Sequence, residues 1–443
     1  MSSLSLSRVQ SGIFPIETTV DGAGHLTIGG CTTTDLAAQF GTPLYVFDEA
    51  TLRAQCRSFL GEFRLRYPAT DAIYACKAFI NKSLLRLLNE EGMGLDVVSG
   101  GELHAALAVD FPPERIYFHG NNKSRHELEQ ALQAGIGRIV VDNLDELALL
   151  SQLATKLGRR QGILLRVTPG IDPHTHRHTT TGVTDSKFGL PLASGMAASA
   201  VRQALASPSL DLLGLHCHLG SPIFEVEPYA EAVEVMAKFA ADMQRECDFR
   251  WHEFSPGGGF AVQYVLERPA PPPAAYAQTI ASALRAACRN HGLPEPRLII
   301  EPGRAIVGRA GVALYTVGEV KDVPSVRTYV AVDGGMGDNI RPAIYGARYE
   351  AVVANRVTAE DDALVTICGK YCESGDVLVS DIRLPQPRSG DLVAIPTSGA
   401  YCLAMSSQYN ANPRPAVVMV RDGQARLIRR RETYADLIAW DTD

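Results

Sequence analysis

The stretch Ile73-Tyr74-Ala75-Cys76-Lys77-Ala78 decides how this chain is read. Ile73 to Cys76 has the composition of a short buried strand, and the strand hands on to a lysine. At such a strand end, loss of water would lower the ammonium pKa and make the amine a usable nucleophile, which is what a Schiff-base lysine requires. Outward from this point the same beat recurs as far as Arg304: apolar strand, polar or Gly-containing turn, helical periodicity. Eight strands are predicted, at Ile73-Cys76, Leu95-Ser99, Ile116-His119, Arg138-Asp142, Ile163-Thr168, Leu212-His218, Glu253-Ser255 and Arg297-Glu301. Between them, Lys82 to Glu91, Arg125 to Ala134 and Tyr229 to Gln244 place apolar residues at helical spacing. Eight such units in about 230 residues predict a (β/α)8 barrel.

After Gly311 the rhythm changes to β-branched runs broken by Gly, Pro and Asp: Thr328-Val332, Glu350-Val353, Ala363-Ile367, Val377-Ser380, Asp391-Ile395 and Ala416-Val420. This predicts an all-β domain of sandwich or small-barrel type. Gly24 to Gly29 reads as a lone strand without a βα partner, one that crosses over to the C-terminal sheet. The expected organisation is therefore an N-terminal segment, 1–45, joining the C-terminal β domain, a barrel at 46–310, and the β domain at 311–443. The cluster Pro269 to Pro273 reads as a surface insertion between the seventh strand and its helix.

Composition narrows the function classes. A chain of 443 residues with 46% hydrophobic content exceeds what one core usually serves. The net charge of −7 and a pI near 5.9, with only Arg429-Arg430-Arg431 as a basic run, argue against nucleic acid. No apolar run approaches the roughly 20 residues that span a bilayer. Met1 to Pro15 has neither the charged start nor the apolar core of a signal peptide, so the expected location is the cytoplasm. Nine cysteines without paired spacing fit a reducing compartment and small core positions.

Barrel enzymes collect reactive groups at the C-terminal ends of their strands. Here those positions hold Lys77, Asp96 and Ser99, His119, Asp142, Arg166, His216 and His218, Gly257-Gly258-Gly259, and Glu301 with Arg304. The glycine triplet follows the seventh strand, where bare backbone can turn N–H groups onto a phosphate ahead of a helix N-terminus; a flexible turn is the plainer reading. Glu301 ends a buried strand and needs a cationic partner, either Arg304 or a protonated ring nitrogen of a cofactor. His216-Cys217-His218 puts two histidines on one strand face, and His174, His176 and His178 form a second such row, so a metal-dependent barrel hydrolase is the competing reading. It leaves Lys77 and the glycine triplet unexplained and offers no histidine after strands seven or eight; no metal is expected.

At these residues a family resemblance becomes specific. The chain resembles the fold-type III pyridoxal-phosphate decarboxylases, the alanine-racemase-like barrel group, and within them the members that act on meso-2,6-diaminopimelate. The similarity runs through Tyr74-Ala75-Cys76-Lys77-Ala78, Asp96 to Leu103, Gly120-Asn121-Asn122-Lys123-Ser124, Thr181-Gly182 with Ser186-Lys187-Phe188-Gly189, and His216 to Ser221. It continues through Gly257 to Phe260, Glu301-Pro302-Gly303-Arg304, Arg341 to Tyr345, Cys372 to Asp376 and Gly399-Ala400-Tyr401. Two departures stand near the site: Phe79, where many relatives carry Asn, and Lys370-Tyr371 before Cys372, where a Pro-containing pair is common.

The resemblance implies roles residue by residue. Lys77 would hold pyridoxal 5'-phosphate covalently, Asp96 would lie beside the cofactor, and Glu301 would keep its ring nitrogen protonated. His218 would stack on the ring, while Ser221, Gly258, Gly259 and Tyr401 bind its phosphate with Gly303 and Arg304 nearby. Arg304, Arg341 and Tyr345 would hold a substrate carboxylate, and Glu373, with Tyr401, would meet the substrate's distal end. Cys372 would protonate the carbanion left by carbon dioxide. In this family Cys372 and Glu373 arrive from a partner subunit, which implies a homodimer with shared sites. The implied reaction is decarboxylation of meso-2,6-diaminopimelate to L-lysine. Decarboxylation of ornithine, lysine, arginine or carboxynorspermidine is the alternative within the class, and a catalytically dead regulator is disfavoured because Lys77, Glu301 and Cys372 are all present.

Overall fold

The structure, a computed structural model, describes residues 4–171 and 186–442. It divides into two compact units: one comprises Cys56–Ala261 and Pro271–Gly303, the other the chain through Gln55, Val262–Ala270, and everything from Arg304 onward.

The first unit is a closed barrel of eight parallel strands. In barrel order they are Thr70–Ala75, Gly94–Val97, Ile116–Phe118, Arg138–Val141, Gln161–Thr168, Leu210–His216, Glu253–Gly257 and Arg297–Ile300, and the last pairs with the first. All eight predicted strands are present, shifted by a few residues at their ends. Alternation of side chains sends Ile73, Tyr117, Val140, Leu164 and Ile299 into one packed cluster drawn from five different strands. The turns after the strands end on residues chosen to start helices. Asn81, Ser99, Ser124 and Asn143 each accept a backbone N–H from three residues ahead, at Leu84, Glu102, Glu127 and Glu146. Ser124 and Glu127 complete a reciprocal capping box. These caps fix where each loop stops, and hence which residues stand at the barrel mouth.

The Gly120-to-Ser124 motif has a structural use within this frame. The buried Lys123 ammonium donates to the carbonyls of Gly120 at 2.7 Å and Val140 at 2.9 Å and pairs with Glu146 at 2.7 Å. It ties the third strand's loop to the fourth strand; a buried ion pair of this kind is costly to break on one side only.

The second unit is built on a mixed sheet. Its central strands run Val377–Leu384, Ala363–Cys368, Arg327–Val332, Gly311–Val323, Leu44–Asp48, Ala416–Arg421 and Gln424–Arg429, with Leu392–Ile395 also on Gly311–Val323. The 13-residue strand Gly311–Val323 serves two neighbourhoods. Its first half pairs with Leu44–Asp48 and Leu392–Ile395, its second half with Arg327–Val332, and a register shift between Val317 and Val320 marks the change. The lone-strand expectation for Gly24 to Gly29 needs correcting. Leu26–Ile28 pairs in a small sheet with Thr18–Val20 and Cys31–Thr32, and the N-terminal strand that enters the large sheet is Leu44–Asp48. That strand is buried along its whole length, as a central strand covered on both faces must be. No helix among the described residues is long and apolar enough to cross a membrane.

Candidate active site

Within the barrel unit the predicted strand-end residues converge. Lys77 lies in a single 3-10 turn, Cys76–Ala78, directly after the first strand. Its side chain is 44% exposed, so the ammonium is not desolvated as the sequence suggested; it sits open at the mouth, with Nζ 3.9 Å from Asp96 Oδ2. Asp96, only 1% exposed, stands with its other oxygen 3.8 Å from His119 Nε2. Burial pushes the Asp96 carboxyl up to about 7, against the pull of Lys77 and with further push from Glu301 and Glu102.

Glu301 is the most heavily answered group. Ser255 donates to Oε1 at 2.7 Å, the His216 Nε2–H donates to Oε2 at 3.2 Å, and His119 Nε2 is 3.6 Å from Oε1. Burial alone would raise this carboxyl; the two histidines and the serine outweigh it and hold Glu301 well below the usual range. Burial drives His119 toward its neutral form, so His216 is the partner that matters most. Next to this cluster Arg166 stands 3.8 Å from Asp142 and 4.4 Å over the Phe188 ring, while Asp142 accepts the Gly189 N–H at 3.0 Å.

The His-x-His reading changes with the geometry. The sixth strand ends at His216, so His218 lies beyond it and alternation does not place the two rings together. His216 serves Glu301, whereas His218 Nδ1 accepts the Gly258 N–H at 3.2 Å. Among the described residues, the trio whose ligand atoms lie within 4.8 Å of one another is instead His119, His216 and Glu301. His174, His176 and His178, like Thr181-Gly182, fall outside the described residues. The glycine triplet is no loose turn: Gly257 and Gly259 have φ of +81° and +95°, and a Cβ on Gly258 would collide with the Glu301 carbonyl. The next helix begins only at Pro273, so the triplet does not lead directly into a helix N-terminus. Ser221 and Gly303 belong to the same unit, Gly303 packed against Ala75. Phe79 is buried, and its carbonyl accepts the Tyr74 hydroxyl at 2.7 Å.

The remaining candidates belong to the β unit. Arg341, 5% exposed at the start of the short helix Arg341–Tyr345, donates to the Tyr349 hydroxyl and lies 4.6 Å over the Tyr264 ring. Among the described residues no carboxylate comes within ion-pair distance of it. Arg304 donates to the Tyr264 hydroxyl at 2.6 Å and stacks 4.7 Å over Tyr401, whose backbone has φ of +62°. Tyr345 is half-buried. Cys372 is the one exposed cysteine of the nine, all of them free thiols; its N–H is held by Asn410 Oδ1 at 2.9 Å. Glu373 is exposed and lies beside the Gly375 N–H, 3.3 Å away. Tyr371 stacks on Tyr409, and its N–H donates to the buried Asp376, which fixes the loop carrying Cys372.

The family model described as "Pyridoxal-dependent decarboxylase, pyridoxal binding domain" matches residues 49–308. The diaminopimelate decarboxylase of Bacillus subtilis is 48% identical over 418 residues, 94% of this chain and 95% of that protein. The chain belongs to the diaminopimelate decarboxylase family of pyridoxal-dependent decarboxylases. The Mycobacterium bovis member is 42% identical over 98% of both chains. The solved diaminopimelate decarboxylase of M. jannaschii, in co-complex with L-lysine, superposes with a TM-score of 0.91 at 34% identity, covering 98% of each chain.

For a member of this family, the sequence pointed to the barrel-mouth groups but not to how they pair. Ser255 went unremarked, although its place two residues before Gly257 on the seventh strand puts it on an alternate face position. Tyr264 and Tyr349 carry no signal in the sequence. Neither sits in a strand-end position, and only the fold brings them to the arginines.

Proposed function

We propose that this chain decarboxylates meso-2,6-diaminopimelate to L-lysine with pyridoxal 5'-phosphate as cofactor. The observation that carries the substrate choice is Arg341, a buried guanidinium that no carboxylate of the described chain answers. A buried cation of this kind costs several kcal/mol unless a ligand supplies the anion. Meso-diaminopimelate keeps a second carboxylate after the first is lost; ornithine and lysine do not.

The residues fit the cofactor. The Lys77 side chain is exposed, the Glu301 carboxylate is buried and ionised, and Asp96 Oδ1 and His119 Nε2 are buried polar atoms without a hydrogen bond. Lys77 would hold the aldehyde carbon, Glu301 the ring nitrogen, and His218 the ring face, with Asp96 beside them; Ser221, Gly258, Gly259, Gly303, Arg304 and Tyr401 would surround the phosphate. When bound, pyridoxal phosphate supplies an electron sink for the pair left by the broken carbon–carbon bond. The chain's own groups do the rest. Lys77, which would anchor the cofactor, would also carry a proton on Nζ. Glu301, held ionised by Ser255 and His216, would keep the ring nitrogen protonated. Arg304, Arg341 and Tyr345 hold the remaining carboxylate, and Glu373 with Tyr401 meets the distal ammonium end. As carbon dioxide leaves, the Cys372 thiol gives its proton to the carbon, and L-lysine is released.

Cys372 and Glu373 reach the second subunit's site in the homodimer we propose. Mixing inactive Lys77→Ala and Cys372→Ala proteins under subunit exchange is expected to restore part of the activity, and none despite proven exchange would refute the shared site. The deciding test of the whole reading is a product assay on meso-diaminopimelate, ornithine, lysine and arginine. Turnover of diaminopimelate alone is expected; preference for a diamine-forming substrate would overturn the choice while leaving the family intact.

A further inference from the structure

The excursion Val262–Ala270 lies in sequence between a barrel strand and a barrel helix but folds with the β unit. It brings in Tyr264, whose ring lies under both guanidinium groups, nearer Arg341 than Arg304 at 5.8 Å, and whose hydroxyl meets Arg304. Its hydroxyl accepts from Arg304 at 2.6 Å, and its ring face lies 4.6 Å beneath the Arg341 guanidinium. Tyr349 closes the corner at right angles, with ring centroids 5.3 Å apart and planes at 86°, and receives the Arg341 hydrogen bond on its hydroxyl.

Two guanidinium groups held by one tyrosine repel each other, and an aromatic face compensates an arginine charge far less than a carboxylate does. Arg341, with no carboxylate at ion-pair distance among the described residues, has many rotamers open to it. Something must therefore hold it at a set distance from Arg304 before a ligand arrives. We infer that Tyr264 is a positioning residue that sets the spacing of Arg304 and Arg341, so that both close on a single substrate carboxylate. The inference rests on the reading that these arginines hold the second carboxylate of diaminopimelate. It adds a division of labour: the Tyr264 hydroxyl fixes Arg304 and the Tyr264 ring fixes Arg341. It also gives a reason for selectivity, because an ammonium in this corner would face two fixed cations.

Holoenzymes carrying Tyr264→Phe and Tyr264→Leu separate the two contributions. The phenylalanine variant keeps the ring and is expected to raise KM for meso-diaminopimelate, and the calorimetric Kd for L-lysine, about tenfold; the leucine variant is expected to raise both about a hundredfold. In each, kcat should move far less than KM, and the visible absorbance of the bound cofactor should stay at its wild-type level. Unchanged KM and Kd in both variants would overturn the proposal, as would a phenylalanine variant that loses kcat and cofactor absorbance together with no change in KM. Because Tyr264→Phe removes a single oxygen, it decides the matter even where the leucine variant does not fold. A wild-type protein that binds L-lysine yet leaves diaminopimelate unchanged would refute the decarboxylation reading, and the binding measurements would still decide the role of Tyr264.

Discussion

The barrel mouth and the arginine corner of the β unit handle buried charge in opposite ways. At the mouth the carboxylates are answered from within. Glu301 has a serine and two histidines around it, and Asp96 has the Lys77 ammonium 3.9 Å away. In the corner, Arg341 has tyrosine faces and one phenol oxygen but no carboxylate among the described residues. A site that neutralises itself can set the protonation of whatever it holds. A site left cationic is set to choose which ligand it accepts. The same chain thus separates chemistry from selection, and substitutions in the two regions should fail differently.

The largest effect belongs to the open amine at the mouth. Lys77→Ala should lower decarboxylation on the order of 10⁴-fold and abolish the visible absorbance of bound cofactor, because no other described group replaces a covalent anchor. Retained absorbance with a covalent link to another lysine would move the anchor elsewhere. Next comes the charge that the mouth neutralises. Glu301→Gln keeps the shape and the Ser255 contact but removes the negative charge, so kcat should fall about 10²-fold to 10³-fold while cofactor stays bound. Wild-type turnover in that variant would show the carboxylate to be structural.

The corner should break in the other parameter. Arg341→Ala is expected to cut kcat/KM for meso-diaminopimelate about 10²-fold, chiefly through KM, with cofactor absorbance unaltered. Arg341→Lys should restore little of it, since a point charge neither lies flat on the Tyr264 ring nor forks onto a carboxylate. A loss confined to kcat would place Arg341 with the chemistry and erase the contrast between the two regions.

Much of this was legible in the residues and some was not, for identifiable reasons. The eight barrel strands announce themselves as short apolar runs, and the first four are each followed by a capping residue, as Leu95 to Ser99 shows with its Ser99 cap. Leu44–Asp48 was passed over for the opposite reason. It is buried on both faces, so it lacks the alternation that marks a surface strand, whereas Gly24 to Gly29 alternates well, ladders only in the small sheet, and reaches the C-terminal residues Ala354, Val357 and Gly423 by single backbone hydrogen bonds. His119 and His216 could be flagged as strand-end residues, but their convergence on Glu301 follows from barrel closure, which brings together strands three, six and eight. Tyr264 had no signal of its own. Its stretch resembles an ordinary loop after the seventh strand, and its role arises only once that loop folds with a different unit.

The smallest effect tests the balance at Asp96. In the unfolded chain its carboxyl titrates near 3.8, and in the folded protein burial pushes it up to about 7 even though Lys77 lies 3.9 Å away. Between those values the folded state binds the proton that the unfolded state has released. The contribution of Asp96 to stability is therefore fully present below about pH 4 and is lost as the pH rises through about 7. Asparagine does not titrate and mimics the protonated acid in shape. Compared by urea unfolding without cofactor, Asp96→Asn should gain on the wild type as the pH rises from about 5 to about 8, by about 2 kcal/mol. A gap that stays constant, or moves in favour of the wild type, would mean that the exposed Lys77 ammonium outweighs burial. The mouth would then owe its neutrality to an ion pair rather than to a carboxylic acid kept protonated.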